Sequence, residues 1–439
     1  MTGLTRADFL ARTAAVVLAS SVGVPSRFRS RPDLDPPPVT ILHRSGSLAP
    51  GLLFLAPSSG PGQHGPLILD DAGQPVWFKP TSPVPSMNFR AQTLHGRPVL
   101  TWWQALPGGG LGRGVHVVAD ASYREIARFP AGNGRASDLH EFLLTERGTA
   151  LITSLEVRKR GARGLTMGGV VQEVEVPSAR VLFEWRSLDH VSVAESYAPV
   201  GYPWDYFHVN AIDVDADGNL LVSARNTWTV YKVDRRTGKV LWRLGGKRSD
   251  FALGRGASFG WQHDARSHLD GRYVSVFDNS ATPHSRGLVL ALDGRRATLV
   301  HEYPHVPPLH AHKLGSVQLL PNGNVLVGWG TDPHFTEYDA SGVVRLDATL
   351  PHGGENYRAL RFPWRGRPTG APAAVVRNGT VYVSWNGATE VAAWRLEPGG
   401  PTVPRHGFET AIAVPAGASA LDVVGLDARG RTLGSYRLP

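Results

Sequence analysis

The stretch AIDVDADGNLLVSARNTWTVYKVDRRTGKVLWRL, residues 211–244, predicts the fold of this chain. It contains two hairpins in succession, one turning at Gly218 and the other just after Asp234. Asp-Gly between alternating apolar residues is a strong hairpin signal. The stretch therefore predicts a unit of four consecutive antiparallel strands.

This unit recurs along the chain. The turns of its outer hairpins lie 46 to 59 residues apart, at Asp71, Asp120, Pro177, Asp234, Asp293 and Asp339. The turns of its inner hairpins carry glycine, at Gly96, Gly148, Gly218, Gly271 and Gly323. Six four-stranded units predict an all-β fold, a six-bladed β-propeller. VTILHR and GLLFLAP, from residue 39 on, are expected to supply the inner strands of the first blade.

The spacing of strands and turns changes on both sides of this repeat. We predict a propeller over residues 38–360 and a small immunoglobulin- or fibronectin-like β-sandwich over 361–439, where short strands follow the Pro-rich FPWRGRPTGAP. Residues 1–37 are expected to be a signal peptide and linker, with TRADFL resembling a twin-arginine export motif. The chain is thus expected to be exported, to the envelope or the medium. A buried N-terminal helix is the alternative interpretation of this apolar segment.

Composition narrows the function classes. The net charge is +9, but no block of five or six Lys and Arg occurs, which argues against nucleic acid and is typical of a channel for small anions. No later segment is apolar enough for a membrane span. The chain has no cysteine, which excludes disulfides, thiolate metal sites and a cysteine nucleophile.

Histidines recur at one position of the repeat. Eight to eleven residues before the inner turn glycine lie His140, His208, His263 and His312. The innermost strands of a propeller line its central channel and start at one rim, so these imidazoles are expected to meet there. Taken singly, each histidine has a structural explanation; their shared register favours a functional site.

The second strand of each unit returns to the same rim. It is expected to add Arg225, Asn279 and Trp329, while Asn210 shares a strand face with His208 and Asp264 follows His263. Asp264 could equally be only a hydrogen-bond anchor.

These residue types favour an anionic substrate. The sequence has no Gly-x-Ser-x-Gly, no His-Glu-x-x-His and no paired carboxylates in the repeat register. Histidines could ligate a transition metal, but the Arg and Asn beside them suit an oxyanion better. Neutral imidazole can be a nucleophile or a general acid and base. We therefore predict transfer of a tetrahedral anionic group, with no cofactor.

The segments DLHEFLLTERGTALIT, FHVNAIDVDADGNLLVSARNTW and FGWQHDARSHLDGRYVSVFDN resemble the arylsulfate sulfotransferase family, most closely its actinobacterial and fungal branch. The resemblance spans roughly residues 48–350. It implies a six-bladed propeller that moves a sulfuryl group from a phenolic sulfate ester to a phenol, without the adenosine-based donor, through a sulfohistidine.

When the functional residues of the family are assigned to matching positions of this sequence, the resemblance implies that His263 is the nucleophile. His208, Asn210 and Arg225 would hold the sulfuryl oxygens, and His140 would activate the acceptor or bind oxygen. Asp264, Asn279, His312 and Trp329 remain candidates for substrate binding from the register alone. Family members with a separate N-terminal β-domain and a disulfide differ from this chain, which has no cysteine.

Two other functions stay open on the sequence. One is a secreted propeller lyase with a histidine base and a divalent metal, whose activity a chelator would abolish. The other is a non-catalytic propeller that binds an anionic ligand. The expected partners of the sulfotransferase are a small aryl sulfate donor and a phenolic acceptor.

Overall fold

The computed structural model describes residues 28–108, 112–159, 164–280, 284–415 and 421–438. The predicted signal peptide falls almost wholly on residues 1–27, outside this part of the chain. The helical elements of the described residues are short, and they include Ser187–His190 and the single 3-10 turns Val193–Glu195 and Arg225–Thr227. No helix among the described residues is long and apolar enough to cross a membrane.

The stretch that predicts the fold forms one four-stranded antiparallel sheet in sequence order. Its strands are Val209–Val214, Leu220–Ala224, Thr229–Val233 and Val240–Gly245. The inner turn needs glycine because residue 218 has φ +80°, a left-handed conformation that favours glycine. At the outer turn the Asp234 carboxylate accepts hydrogen bonds from the N–H groups of Arg236 and Thr237.

Four-stranded arrangements recur before and after this sheet. A nine-stranded sheet joins two of them through the bridge between Gly114 and Ser137. Its strands are Ser86–Leu94, Arg97–Ala105, Gly114–Ala119, Glu125–Phe129, Ser137–Leu144, Thr149–Lys159, Leu165–Glu175, Val181–Arg186 and Trp204–Asp205. The next sheet contains His263–His268, Tyr273–Asp278, Arg286–Asp293, Arg296–Pro304 and Ala252–Leu253.

Two further sheets close the arrangement, and both mix distant parts of the chain. One contains Ser316–Leu319, Val325–Gly328, His334–Tyr338, Val344–Thr349 and, at its outer edge, Thr40–Arg44. The other contains Leu52–Leu55, Leu67–Leu69, Pro75–Phe78 and, innermost, Leu360–Phe362.

Together these two sheets correct one expectation. VTILHR does not give an inner strand of the first unit, because Thr40–Arg44 is instead the outermost strand of the last unit, beside Val344–Thr349. The innermost strand of the first unit comes from Leu360–Phe362, across the domain boundary predicted at residue 360. This exchange ties the two ends of the repeat together.

The innermost strands form a closed ring. Each contacts the next, and the last contacts the first, in the order Ser86–Leu94, Ser137–Leu144, Val209–Val214, His263–His268, Ser316–Leu319 and Leu360–Phe362. A ring of radially arranged antiparallel sheets is the β-propeller arrangement, which leaves few strand edges exposed.

Inner strands are bulged near their first residues. Pairing shifts register between Met87 and Arg90, between Val209 and Ala211, and between His263 and Arg266. Within or next to these bulges, positive φ values occur at Asn88, His208 and Asp264. Asn, Asp and His tolerate that conformation better than most residues, and a bulge re-aims side chains. The backbone thus turns these polar side chains out of the regular strand alternation.

After residue 372 the chain forms two smaller sheets. Their strands are Ala373–Arg377, Thr380–Ser384 and Glu409–Ala413, and Thr402–Pro404, Ala393–Glu397, Asp422–Leu426 and Thr432–Arg437. Both contribute to one hydrophobic cluster, which includes Val381, Trp394, Ile412 and Val423.

This C-terminal part is fixed to the first sheet of the ring. The Asn386 side chain donates to the Phe78 carbonyl and accepts from the Phe78 N–H, both at 2.9 Å, and so caps an edge strand. Phe28 packs against Phe408 with ring centroids 4.3 Å apart and the rings tilted by 37°. The segment expected to be a linker up to residue 37 is therefore packed against the C-terminal sheets from Phe28 onward.

Candidate active site

A cavity of about 370 Å³ opens at the end of the ring where the innermost strands begin. Five of the nine residues singled out from the sequence line it: His140, His208, Arg225, His263 and His312. They come from four sheets, His208 and Arg225 from the same one. Each lies at the start of an inner strand or at the end of the next strand, and this shared position brings them together. The other four, Asn210, Asp264, Asn279 and Trp329, do not line it.

His263 has a fixed tautomer. Its Nδ1 lies 2.7 Å from Asn279 Oδ1, while Asn279 Nδ2 donates to the carbonyls of Ala311 and Leu314 at 2.7 and 2.8 Å. Because those two bonds orient the amide, its oxygen faces the imidazole and Nδ1 must carry the proton. The lone pair is then on Nε2, which accepts a longer bond of 3.2 Å from the Leu314 N–H.

His263 is held neutral. Its side chain is almost completely buried, and burial, reinforced by the positive Arg225 guanidinium, lowers the pKa of His263 well below its usual range. The bond to Asn279 opposes this shift but does not outweigh it. The imidazole is therefore a neutral base or nucleophile throughout the neutral pH range.

Two further imidazoles are each paired with a carboxylate. His208 Nδ1 lies 2.5 Å from Asp205 Oδ2, and His140 Nδ1 lies 2.7 Å from Asp138 Oδ2. The two rings meet edge to face with centroids 4.9 Å apart. With each Nδ1 engaged, Nε2 is the nitrogen left to exchange a proton with a substrate. Burial opposes ionisation of Asp138, yet His140 keeps the pKa of that carboxyl below its ordinary value.

The Arg225 guanidinium is oriented by three contacts. It donates to Asn226 Oδ1 at 3.0 Å and to the His312 carbonyl at 3.1 Å, and it lies 4.7 Å above the Trp261 ring. A planar guanidinium held in this way presents its remaining N–H groups to the cavity as a fixed fork of donors. His312, whose carbonyl completes that arrangement, has an exposed side chain at the cavity mouth.

The four residues away from the cavity have contacts of their own. Asn210 Nδ2 donates to the carbonyl of Gln262 at 2.7 Å and so anchors the residue just before His263. Asn279 orients His263 from behind. Trp329 is fully buried and donates to Thr336 Oγ1 at 3.0 Å.

Asp264 belongs to a buried ionic cluster below the cavity. Its carboxylate pairs with Arg266 at 2.6 Å and Arg358 at 3.0 Å, and both arginines also reach Glu141. Burial opposes the charge on Glu141, but Arg266 and Arg358 lower the pKa of this carboxyl far enough to keep it ionised. The cluster joins the inner strands and fixes the floor of the cavity, with Tyr357 lying between that floor and His140.

Several residues of this site escaped the sequence interpretation. Asp138 and Asp205 precede the registered histidines by two and three residues, so Asp-x-His and Asp-x-x-His were the available signals. Lys313 and Glu355, which line the mouth 3.4 Å apart, carried no signal because neither shares the repeat register. The described residues contain no group of three or more His, Asp or Glu side chains placed to hold a metal ion.

Solved structures with a similar course of the chain are distant in sequence. A protein of unknown function from Bacteroides caccae is 15% identical, with a TM-score of 0.47, and the match covers 71% of this chain and 98% of that one. A periplasmic gluconolactonase of Pseudomonas aeruginosa is 16% identical, with a TM-score of 0.41, over 83% and 99% of the two chains. These scores are too low to carry an inference about function.

Sequence comparison is more decisive. No curated protein matches this chain. The model of one family, described as arylsulfotransferase (ASST), matches residues 90–350, and that range contains all nine residues that the sequence singles out. The match covers more than half of the 439 residues. This chain therefore belongs to the arylsulfotransferase family.

Proposed function

We propose that the protein transfers a sulfuryl group from an aryl sulfate ester to a phenolic or other hydroxyl acceptor, in two displacements through a sulfohistidine at His263. The observation that carries this proposal is the bond between His263 Nδ1 and Asn279 Oδ1, which leaves the lone pair on Nε2 beside a cavity that Arg225 also lines. No adenosine-based donor is needed in this reaction.

In the first displacement Nε2 of His263 attacks sulfur. A bond forms between Nε2 and sulfur while the bond between sulfur and the aryl oxygen breaks, and its electron pair stays with that oxygen. The departing phenolate takes a proton from Nε2 of His140 or His208, which must be an imidazolium at this step and becomes a neutral imidazole, its Nδ1 still held by Asp138 or Asp205. The weak 3.2 Å bond from the Leu314 N–H gives way as sulfur approaches.

The sulfuryl oxygens require donors during both displacements. Arg225 is suited to this role because its fork is already oriented, and charge stabilisation by fixed donors is the main contribution that a protein makes to a loose transition state of this kind. His208 is its neighbour in the cavity. Asn210 supports them indirectly, since its amide is engaged by the carbonyl of Gln262.

In the second displacement the acceptor hydroxyl attacks sulfur. It gives its proton to the imidazole that protonated the first leaving group, and the electron pair of the N–S bond returns to Nε2. Asn279 matters here because an amide oxygen cannot remove the Nδ1 proton. The adduct therefore keeps its Nδ1 proton as an N-sulfoimidazolium zwitterion, and transfer of the sulfuryl group releases neutral imidazole. Without that proton the leaving group would be an imidazolate, which is a much poorer one.

The finer features of the architecture are part of this proposal. We interpret the ring of inner strands as six blades and the two C-terminal sheets as an immunoglobulin- or fibronectin-like sandwich. We also propose that the N-terminal segment directs export and that the chain falls in the actinobacterial and fungal branch of its family. Fractionation of cells and culture medium, followed by N-terminal sequencing, tests export, and full-length protein confined to the cytoplasm would contradict it.

Mass spectrometry tests the reaction. The protein is exposed briefly to 4-nitrophenyl sulfate without acceptor, in the presence of EDTA, and the peptide containing His263 is analysed. We expect a sulfo adduct on that peptide, discharged by added phenol, and none in His263→Asn. Release of 4-nitrophenol without an adduct would refute the sulfohistidine. Loss of the adduct on chelation would favour metal-dependent chemistry, and neither adduct nor release would favour a binding protein.

A further inference from the structure

One side of the cavity mouth is extended beyond the rest. The strands Thr149–Lys159 and Leu165–Glu175 each have 11 residues, whereas the corresponding strands of the next sheet, Leu220–Ala224 and Thr229–Val233, have five. This long hairpin therefore continues past the rim where the imidazoles lie. Trp204–Asp205 pairs with its projecting part, at Thr166 and Met167.

The two faces of the projecting hairpin differ in chemistry. Paired residues share a face, and the pairs Leu155 with Gly169 and Val157 with Met167 define one of the two. Leu155 and Met167 line the cavity, so this face is the one turned toward it. Val157 continues the same face beyond the cavity and is 53% exposed. We call Leu155, Val157 and Met167 the apolar strip.

The opposite face is charged and already covered. Glu156 pairs with Arg158 at 2.9 Å, and Arg158 pairs with Asp189 of the short helix at 2.6 Å. That face needs no further partner. In the apolar strip, by contrast, Leu155 and Met167 are half-buried and Val157 is exposed, so the outer end of the strip is open to an occupant.

We propose that the apolar strip is the binding site for a hydrocarbon chain carried by the acceptor, so that the preferred acceptors are phenols with an extended apolar substituent. This inference rests on the proposed sulfuryl transfer and specifies its substrate class. The hydroxyl end lies by His263, the ring in the cavity among Leu139, Val209 and Leu314, and the chain along the strip. Continuity between the strip and the cavity wall makes one elongated molecule the fitting occupant.

The test compares phenol, 4-propylphenol and 4-heptylphenol as acceptors, with 4-nitrophenyl sulfate as donor. Each buried methylene contributes roughly fourfold in binding, and the strip covers one side of the chain, so we expect kcat/KM to be about tenfold or more higher for 4-heptylphenol than for phenol. Val157→Ser should reduce that ratio by about threefold. Val343→Ser is the matched control, because Val343 is 50% exposed but lies in an outer turn, away from the rim.

The inference would be overturned if kcat/KM were the same for all three phenols. It would also be overturned if the ratio of kcat/KM for 4-heptylphenol to that for phenol were equal in Val157→Ser and Val343→Ser. Calorimetric titration of the same phenols without donor measures their affinity, and so tests the apolar strip independently of the sulfuryl transfer. If no acceptor is sulfurylated but affinity still rises with chain length and falls in Val157→Ser, the proposed reaction is refuted while binding of the hydrocarbon chain by the apolar strip is supported. If turnover occurs and neither rate nor affinity depends on chain length, the proposed role of the apolar strip is refuted while the proposed sulfuryl transfer is not.

Discussion

Asn279 Oδ1 accepts a hydrogen bond of 2.7 Å from the Nδ1–H of His263, and both side chains are buried. Histidines that act as bases are often held by a carboxylate, as His140 and His208 are here. An amide in that position fixes the tautomer equally well but cannot take the proton. This difference separates the proposed nucleophile from its two neighbours.

Asn279→Asp tests that distinction. An aspartate could take the Nδ1 proton, so the leaving group of the second displacement would have imidazolate character and the sulfuryl group would be transferred more slowly. We expect the burst of 4-nitrophenol to persist while steady-state turnover falls by about tenfold or more, both measured by stopped-flow absorbance. Asn279→Ala should instead slow the burst, because the tautomer is no longer fixed. Unchanged steady-state turnover in Asn279→Asp would contradict the role of the amide.

The pH dependence of the first displacement follows from the lowered pKa of His263. A lowered pKa means that the neutral imidazole persists as pH falls. The burst rate with 4-nitrophenyl sulfate, whose leaving group needs no proton, should therefore stay constant from about pH 8 to about pH 5.5. A histidine with an ordinary pKa would lose about tenfold over the same range. Such a loss, measured in single-turnover experiments, would show that the nucleophile is not the buried His263.

Arg225→Lys should reduce kcat/KM by about a hundredfold, because a lysine ammonium cannot reproduce the planar fork of donors. Arg243→Lys provides the control. Arg243 also lies over an aromatic ring, that of Tyr231, and pairs with Glu195, but it does not line the cavity. Equal losses in both variants would mean that the effect of Arg225 is structural.

His116 predicts an acid-sensitive element of stability. It is fully buried, neither ring nitrogen has a hydrogen-bond partner among the described residues, and burial lowers its pKa to about 3. Below about pH 6.5 the unfolded chain binds a proton there that the folded protein does not. The free energy of unfolding therefore decreases as the pH is lowered. Between pH 7 and pH 5 this amounts to about 2 kcal/mol.

His116→Leu should remove that contribution. The difference in the free energy of unfolding between the two pH values, measured by urea denaturation, should shrink by about 2 kcal/mol relative to the wild type. His43→Leu, on the exposed outermost strand, should leave the difference as it is. A variant at position 116 with the full pH dependence would place the acid-sensitive group elsewhere.

The repeat was predictable because hairpin turns are local. Gly218 and Asp234 fix turns through the conformation of a few residues, and the alternation of strand side chains then places residues of equal register at one rim. The same logic brought His140, His208, Arg225, His263 and His312 together. Closure was not predictable in the same way, since Leu360–Phe362 is too short to carry a pattern that identifies its partner strand.

Within the site, register predicted position but not orientation. Asn210, Asp264, Asn279 and Trp329 all lie near the rim, at strand starts or strand ends, yet they contact a backbone carbonyl, an ionic cluster, an imidazole and a core threonine. Bulges re-aim the side chains of Asn210 and Asp264, with positive φ at Asp264, and a bulge depends on the neighbouring strands.

The sequence by itself determined the strands, their turns and the set of residues that reach one rim, because these depend on local conformation and on the two-residue period of a strand. The tertiary structure alone decided which of them face the cavity, the tautomer of His263 and the carboxylate partners of His140 and His208. Those properties depend on burial and on side chains brought from other sheets, such as Arg225 against His263, whose proximity no local pattern encodes.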